Sequence, residues 1–173
     1  RAGDALYVTG TIGDAALGLL ERQGKLEAGQ GAAHLLARYL LPEPRNALSA
    51  ALFAHAHAAM DVSDGLMGDL TKMMRVSGVS AEVTLSDVPL SSAARAAIGT
   101  DEALFIRTLT GGDDYEIIAA VPPEKADEFS EKALLSGIPV AKIGQLHPAG
   151  SGQRWIAADG TTRHFKHRSY RHF

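Results

Sequence analysis

The segment Met60-Asp61-Val62-Ser63-Asp64-Gly65-Leu66 carries two aspartates three residues apart with a serine between them, and Asp69 follows. A short apolar stretch runs into a tight turn, and a helical pattern begins directly after it. Carboxylate oxygens at that spacing could hold magnesium, which commonly takes one or two carboxylates and fills its other positions with water and phosphate. Capping competes with that chemistry. Ser63 or Asp64 would then be an N-cap, the commoner role at a helix start, and Asp61 a polar strand end.

A second segment, Leu109-Thr110-Gly111-Gly112-Asp113-Asp114-Tyr115-Glu116, joins two glycines to adjacent acids. The glycines let the backbone turn sharply or approach a ligand, although a plain Gly-Asp turn with solvated acids is the ordinary alternative. Thr9-Gly10-Thr11-Ile12-Gly13-Asp14 has the outward form of a phosphate loop but lacks the lysine and spacing of a Walker motif. It reads as a structural turn with Asp14 near a helix start. His55 and His57 stand two apart and would point to different faces of a helix. His164, His167 and His172 belong to a basic tail, normally solvated. No residue set suggests a serine- or cysteine-nucleophile triad.

The elements that must position these residues alternate between strand and helix. Strands are predicted at 5–8, 58–62, 81–85, 115–121, 140–143 and 154–157. Helices are predicted at 15–21, 32–41, 45–57, 65–76, 91–98, 101–109 and 124–135. In the helix after Gly65, Leu66, Met67, Leu70, Met73 and Met74 share one side, a stripe expected to be core. This order predicts one α+β domain, a mixed β-sheet with helices packed on its faces.

The 173 residues are 46% hydrophobic, enough for a substantial core without staples. The absence of cysteine excludes disulfides, zinc-thiolate sites and thiol catalysis, and fits a cytoplasmic setting. A net charge of −3 gives no reason to expect a nucleic-acid partner, and no apolar run suggests a membrane. Opening on Arg1 rather than methionine, the chain is expected to be part of a longer protein.

Taken in order, five motifs resemble thiamine-monophosphate kinases. They are Gly3-Asp4-Ala5-Leu6-Tyr7-Val8-Thr9-Gly10 with Gly13-Asp14; Pro42-Glu43-Pro44-Arg45; Asp61-Val62-Ser63-Asp64-Gly65-Leu66; Gly111-Gly112-Asp113-Asp114-Tyr115-Glu116; and Ser169-Tyr170-Arg171-His172-Phe173. The wider group includes aminoimidazole ribonucleotide synthetase, and the chain resembles the C-terminal domain of that two-domain design. The resemblance implies phosphorylation of thiamine monophosphate by ATP, with Asp61 and Asp64 as Mg2+ ligands, Ser63 as an ATP contact, and Asp113 and Tyr170 as substrate-binding residues. Asp113 stands where the family usually has glutamate, one methylene longer, and Ser169 where glycine is common. An N-terminal ATP- and magnesium-binding domain, through which the full-length protein would form a homodimer, is absent from residues 1–173, so the chain alone is expected to be inactive. The alternatives are another ATP-dependent member of the group and a stand-alone ligand-binding module.

Overall fold

Residues 1–165 are described by a computed structural model. Strand β1, Ala5–Thr9, is buried along its whole length because its alternate side chains feed two cores. Leu6 and Val8 enter one, while Ala5 and Tyr7 enter the other. Helix α1, Asp14–Arg22, and helix α2, Ala32–Leu40, pair beside it. A single 3-10 turn, Asn46–Leu48, leads into α3, Ser49–His55. That helix is shorter than the predicted 45–57, and His57 follows it, with its Nδ1 2.9 Å from Asp4 Oδ2.

Strand β2, Ala58–Val62, leads to α4, Leu66–Ser77, and then β3, Val79–Thr84. Helices α5, Ser92–Ile98, and α6, Glu102–Thr110, precede β4, Glu116–Val121. Helix α7, Ala126–Leu135, and strands β5, Val140–Pro148, β6, Gln153–Ile156, and β7, Thr162–Arg163, complete the described residues. The seven strands form one sheet in the order β2-β4-β1-β5-β3-β6-β7. All neighbours are antiparallel except β3 and β6, so the sheet is mixed, as the α+β reading expects.

One face of the sheet packs on α4, whose Leu66, Met67, Leu70, Met73 and Met74 are buried in the first core, as the stripe predicts. The other face packs on the 3-10 turn, α3 and α7 through Leu48, Ala51, Phe129 and Ala133. A third cluster joins Leu17, Leu35, Ala94 and Ile98 from α1, α2 and α5.

Antiparallel pairing has a consequence for function. Val62 lies opposite Glu116, and Val8 opposite Ile118. The ends of β1 and β2 and the start of β4 therefore meet at one end of the sheet, where all three leading motifs change direction.

Candidate functional site

Two loops meet backbone to backbone at that end. Asp113 N–H donates to the Ser63 carbonyl at 3.0 Å, and Tyr115 N–H to the Val62 carbonyl at 2.9 Å. A Cβ on Gly112 would fall 2.2 Å from the Ser63 oxygen, so only glycine permits this approach. Asp113 and Tyr115 adopt φ values of 70° and 52°, a left-handed conformation costing about 1–2 kcal/mol each for an L-residue. The predicted strand start at Tyr115 accordingly moves to Glu116. Between these two residues Asp114 turns fully inward, whereas Asp113 stays half-buried.

The turn after β2 is fixed from within α4. Asp69, fully buried, accepts the backbone N–H groups of Ser63 at 2.9 Å and Asp64 at 2.8 Å through Oδ2. Its Oδ1 accepts from Lys72 Nζ at 2.7 Å, and the same ammonium donates to Asp64 Oδ2. These carboxylates, Asp64 foremost, hold the Lys72 ammonium above the ordinary lysine range. The capping alternative does not hold: Gly65 is the N-cap, with no side-chain cap bond, and Asp69 reaches back instead.

Beneath the loops lies an ionic hub. Glu116, fully buried, accepts from Arg45 Nε at 2.7 Å, Arg38 Nη2 at 2.8 Å and Thr9 Oγ1 at 2.6 Å. Thr9 Oγ1 in turn accepts from Ile117 N–H at 2.8 Å. A Cβ on Gly10, which has φ of 55°, would come within 2.2 Å of the Glu116 carboxylate. Asp114 accepts from the N–H groups of Gly13 at 2.8 Å and Ala15 at 3.3 Å, at the start of α1. Burial pushes its carboxyl well up, and the charges of Asp14 and Glu116 add to that, while the two N–H groups oppose it. Asp14, also fully buried, accepts from Ser91 at 2.5 Å and Thr11 at 2.6 Å, with His34 Nε2 3.1 Å away.

Above the hub, a hollow of about 220 Å³ is lined by Ala15, Ala16, Leu19 and Tyr39 on the helical side. Ser63, Asp64, Gly111, Gly112 and Asp113 line it from the loops, with Arg107 from α6. The structure thus brings together Ser63, Asp64 and Asp113. Asp61 is exposed on the edge strand β2, opposite Ile117, and Tyr170 lies outside the described residues. Among the described residues, no group of three or more histidine, cysteine, aspartate or glutamate side chains could hold a metal alone. Asp64, at the pocket and three residues after Asp61, nevertheless suits magnesium, whose shell phosphate and water would complete.

Sequence reasoning assigned no roles to Tyr39, Asp69, Lys72, Arg107, Arg38 or Thr9. Arg45 and Glu116 stood only within quoted motifs. Asp69 to Lys72 has a local i,i+3 spacing that could have revealed it. Arg38 and Arg45 meet Glu116 across 78 and 71 residues, beyond any local pattern.

A mixed sheet whose turning loops enclose an acid-lined pocket matches a known design over most of the chain. Over residues 1–156 the chain fits the family described as AIR synthase related protein, C-terminal domain, and it belongs to that family. Among its relatives is the thiamine-monophosphate kinase of Caulobacter vibrioides, 39% identical over 171 residues, covering 97% of this chain and 46% of the relative. The crystal structure of thiamine-monophosphate kinase from Stenotrophomonas maltophilia K279a superposes with a TM-score of 0.81 at 36% identity, covering 94% of this chain and 52% of that one. AaThiL complexed with AMPPCP and TMP superposes with a TM-score of 0.80 at 28% identity, covering 100% of this chain and 52% of that one. The chain therefore spans about half the length of the relatives it matches.

Proposed function

We propose that the chain is the carboxy-terminal domain of a thiamine-monophosphate kinase, which converts ATP and thiamine monophosphate into ADP and thiamine diphosphate. The observation that carries this reading is the convergence of Ser63, Asp64 and Asp113, contributed by two separate motifs, on one hollow. The similarity to thiamine-monophosphate kinases supports the choice of substrates.

A phosphate oxygen of thiamine monophosphate, anionic near neutral pH, attacks the γ-phosphorus of ATP. The bond from that phosphorus to the β-phosphate oxygen breaks, and ADP leaves. An anionic nucleophile needs no strong general base, which fits a pocket lined by no histidine among the described residues. Asp61 and Asp64 would hold Mg2+, which neutralises phosphate charge when bound. Ser63 contacts the nucleotide, and Asp113, aimed by its left-handed backbone, contacts the substrate. Tyr39 gives the hollow an aromatic wall, and the family resemblance assigns Tyr170 to substrate binding. The full-length protein would be a cytoplasmic homodimer joined through its amino-terminal domain.

The test is to assay the full-length protein with ATP, Mg2+ and thiamine monophosphate. Thiamine diphosphate should form, and Asp64→Asn should lower kcat at least about 100-fold, as loss of a charge-stabilising group does. ATP consumption only with a different acceptor would refute the thiamine assignment.

A further inference from the structure

Lys72 sits between two carboxylates of unlike character. Asp69 is buried, with a side chain 1% exposed, whereas Asp64 is 47% exposed at the rim of the hollow. The two oxygens of Asp69 divide their work: Oδ2 fixes the backbone of Ser63 and Asp64, while Oδ1 anchors the ammonium. Breaking the contact between Lys72 and Asp64 therefore leaves the turn intact and leaves the ammonium a partner. The pair that would break is the exposed one, which is the weaker kind of ion pair.

We infer that Lys72 is a tethered counter-cation for Asp64, occupying the carboxylate until a divalent cation displaces it. This rests on the reading of Asp64 as a metal ligand and adds a residue to that reading. Asp64 cannot give the same oxygen fully to both charges, and an ammonium near a divalent ion repels it. Exchange lets the rim carboxylate stay neutralised without metal and become available when metal arrives. Asp69 keeps Lys72 in place throughout. Lys72 is thus a positioning residue whose charge weakens metal binding, rather than a bolt that strengthens it.

The experiment titrates Mn2+ alone into the full-length protein by calorimetry, comparing wild type with Lys72→Met, Lys72→Arg and Asp64→Asn. Methionine keeps the apolar stem and removes the charge, and Lys72→Gln serves if the methionine variant does not fold. The neutral variant should bind Mn2+ about two- to fivefold more tightly, the range expected for releasing one exposed ion pair. Lys72→Arg should stay near wild type. In an Asp64→Asn background, removing Lys72 should no longer tighten binding. Unchanged or weaker Mn2+ binding in the neutral variant, while Asp64→Asn alone weakens it, would overturn the counter-cation role and leave the metal assignment standing. If Asp64→Asn alone has no effect on Mn2+, the metal assignment and the inference both fail. Neither result bears on whether thiamine diphosphate forms, which the assay above decides separately.

Discussion

Glu116 is the residue on which three separated motifs converge. Its carboxylate joins Arg45, from Pro42-Glu43-Pro44-Arg45, to Thr9 and Gly10 of the first motif, and Arg38 completes the ring of donors. The hydrogen bond and charge of Glu116 hold the Arg45 guanidinium above its ordinary range. Removing Glu116 leaves two largely buried guanidinium groups with only the exposed Glu43 as a charged partner, so Glu116→Ala should destabilise the chain by about 3–5 kcal/mol. Arg45→Met should cost less, because Arg38 still pairs with Glu116. Urea midpoints at constant m would check the order of the two variants. If they are equally mild, the hub is solvated and not a structural centre. The hub's members are named in the motifs, but their partnership is not legible in the sequence. Ion pairing across more than 70 residues leaves no period to read. By contrast, the core stripe of α4 and the turn after β2 were readable, because a helical repeat and a strand-turn-helix pattern are local.

At the level of elements, Asp114 ties the loop before β4 to the start of α1. The sequence leaves it, with Asp113, either a solvated acid of a plain Gly-Asp turn or an acid at a turn that approaches a ligand. The left-handed backbone at Asp113 and Tyr115, which no propensity foretells, turns it inward instead. Its folded-state pKa lies above that of an unfolded aspartate, about 3.9. Folding therefore favours the protonated form. The stability gained is complete below the unfolded value and is lost as pH rises through the raised one. The wild-type melting temperature, taken relative to Asp114→Asn, should fall across that window and level off above it. The asparagine variant should carry a fixed loss, because one amide oxygen must serve two N–H donors. If the difference grew with pH instead, the anion would be the stabilised form, held by the two backbone N–H groups at the start of α1.

Across the whole molecule, the same strands serve every layer. In β1 and β4, neighbouring residues enter opposite cores: Leu6 and Ile118 face α4, while Tyr7 and Val121 face α3 and α7. Tyr7 and Phe129 meet edge to face at 5.4 Å. Neither core can lose its sheet wall without exposing the other, which argues for one cooperative unit. The test falls on the far side of the sheet, where β6 joins through its parallel pairing with β3 and Trp155 is 2% exposed opposite Val83. As the sole tryptophan of the chain, Trp155 reports on this edge alone, while far-UV circular dichroism reports on all elements. The two urea transitions should coincide, because Trp155 and Leu6 belong to the same buried cluster. An earlier fluorescence transition would show that the β3-β6-β7 side opens independently. The loops around Ser63 and Asp113 would then rest on β1, β2 and β4 alone. Coincidence would instead mean that the sheet carrying those loops is as stable as the domain itself, so that the carboxylates of Asp64 and Asp113 face the hollow on a rigid frame.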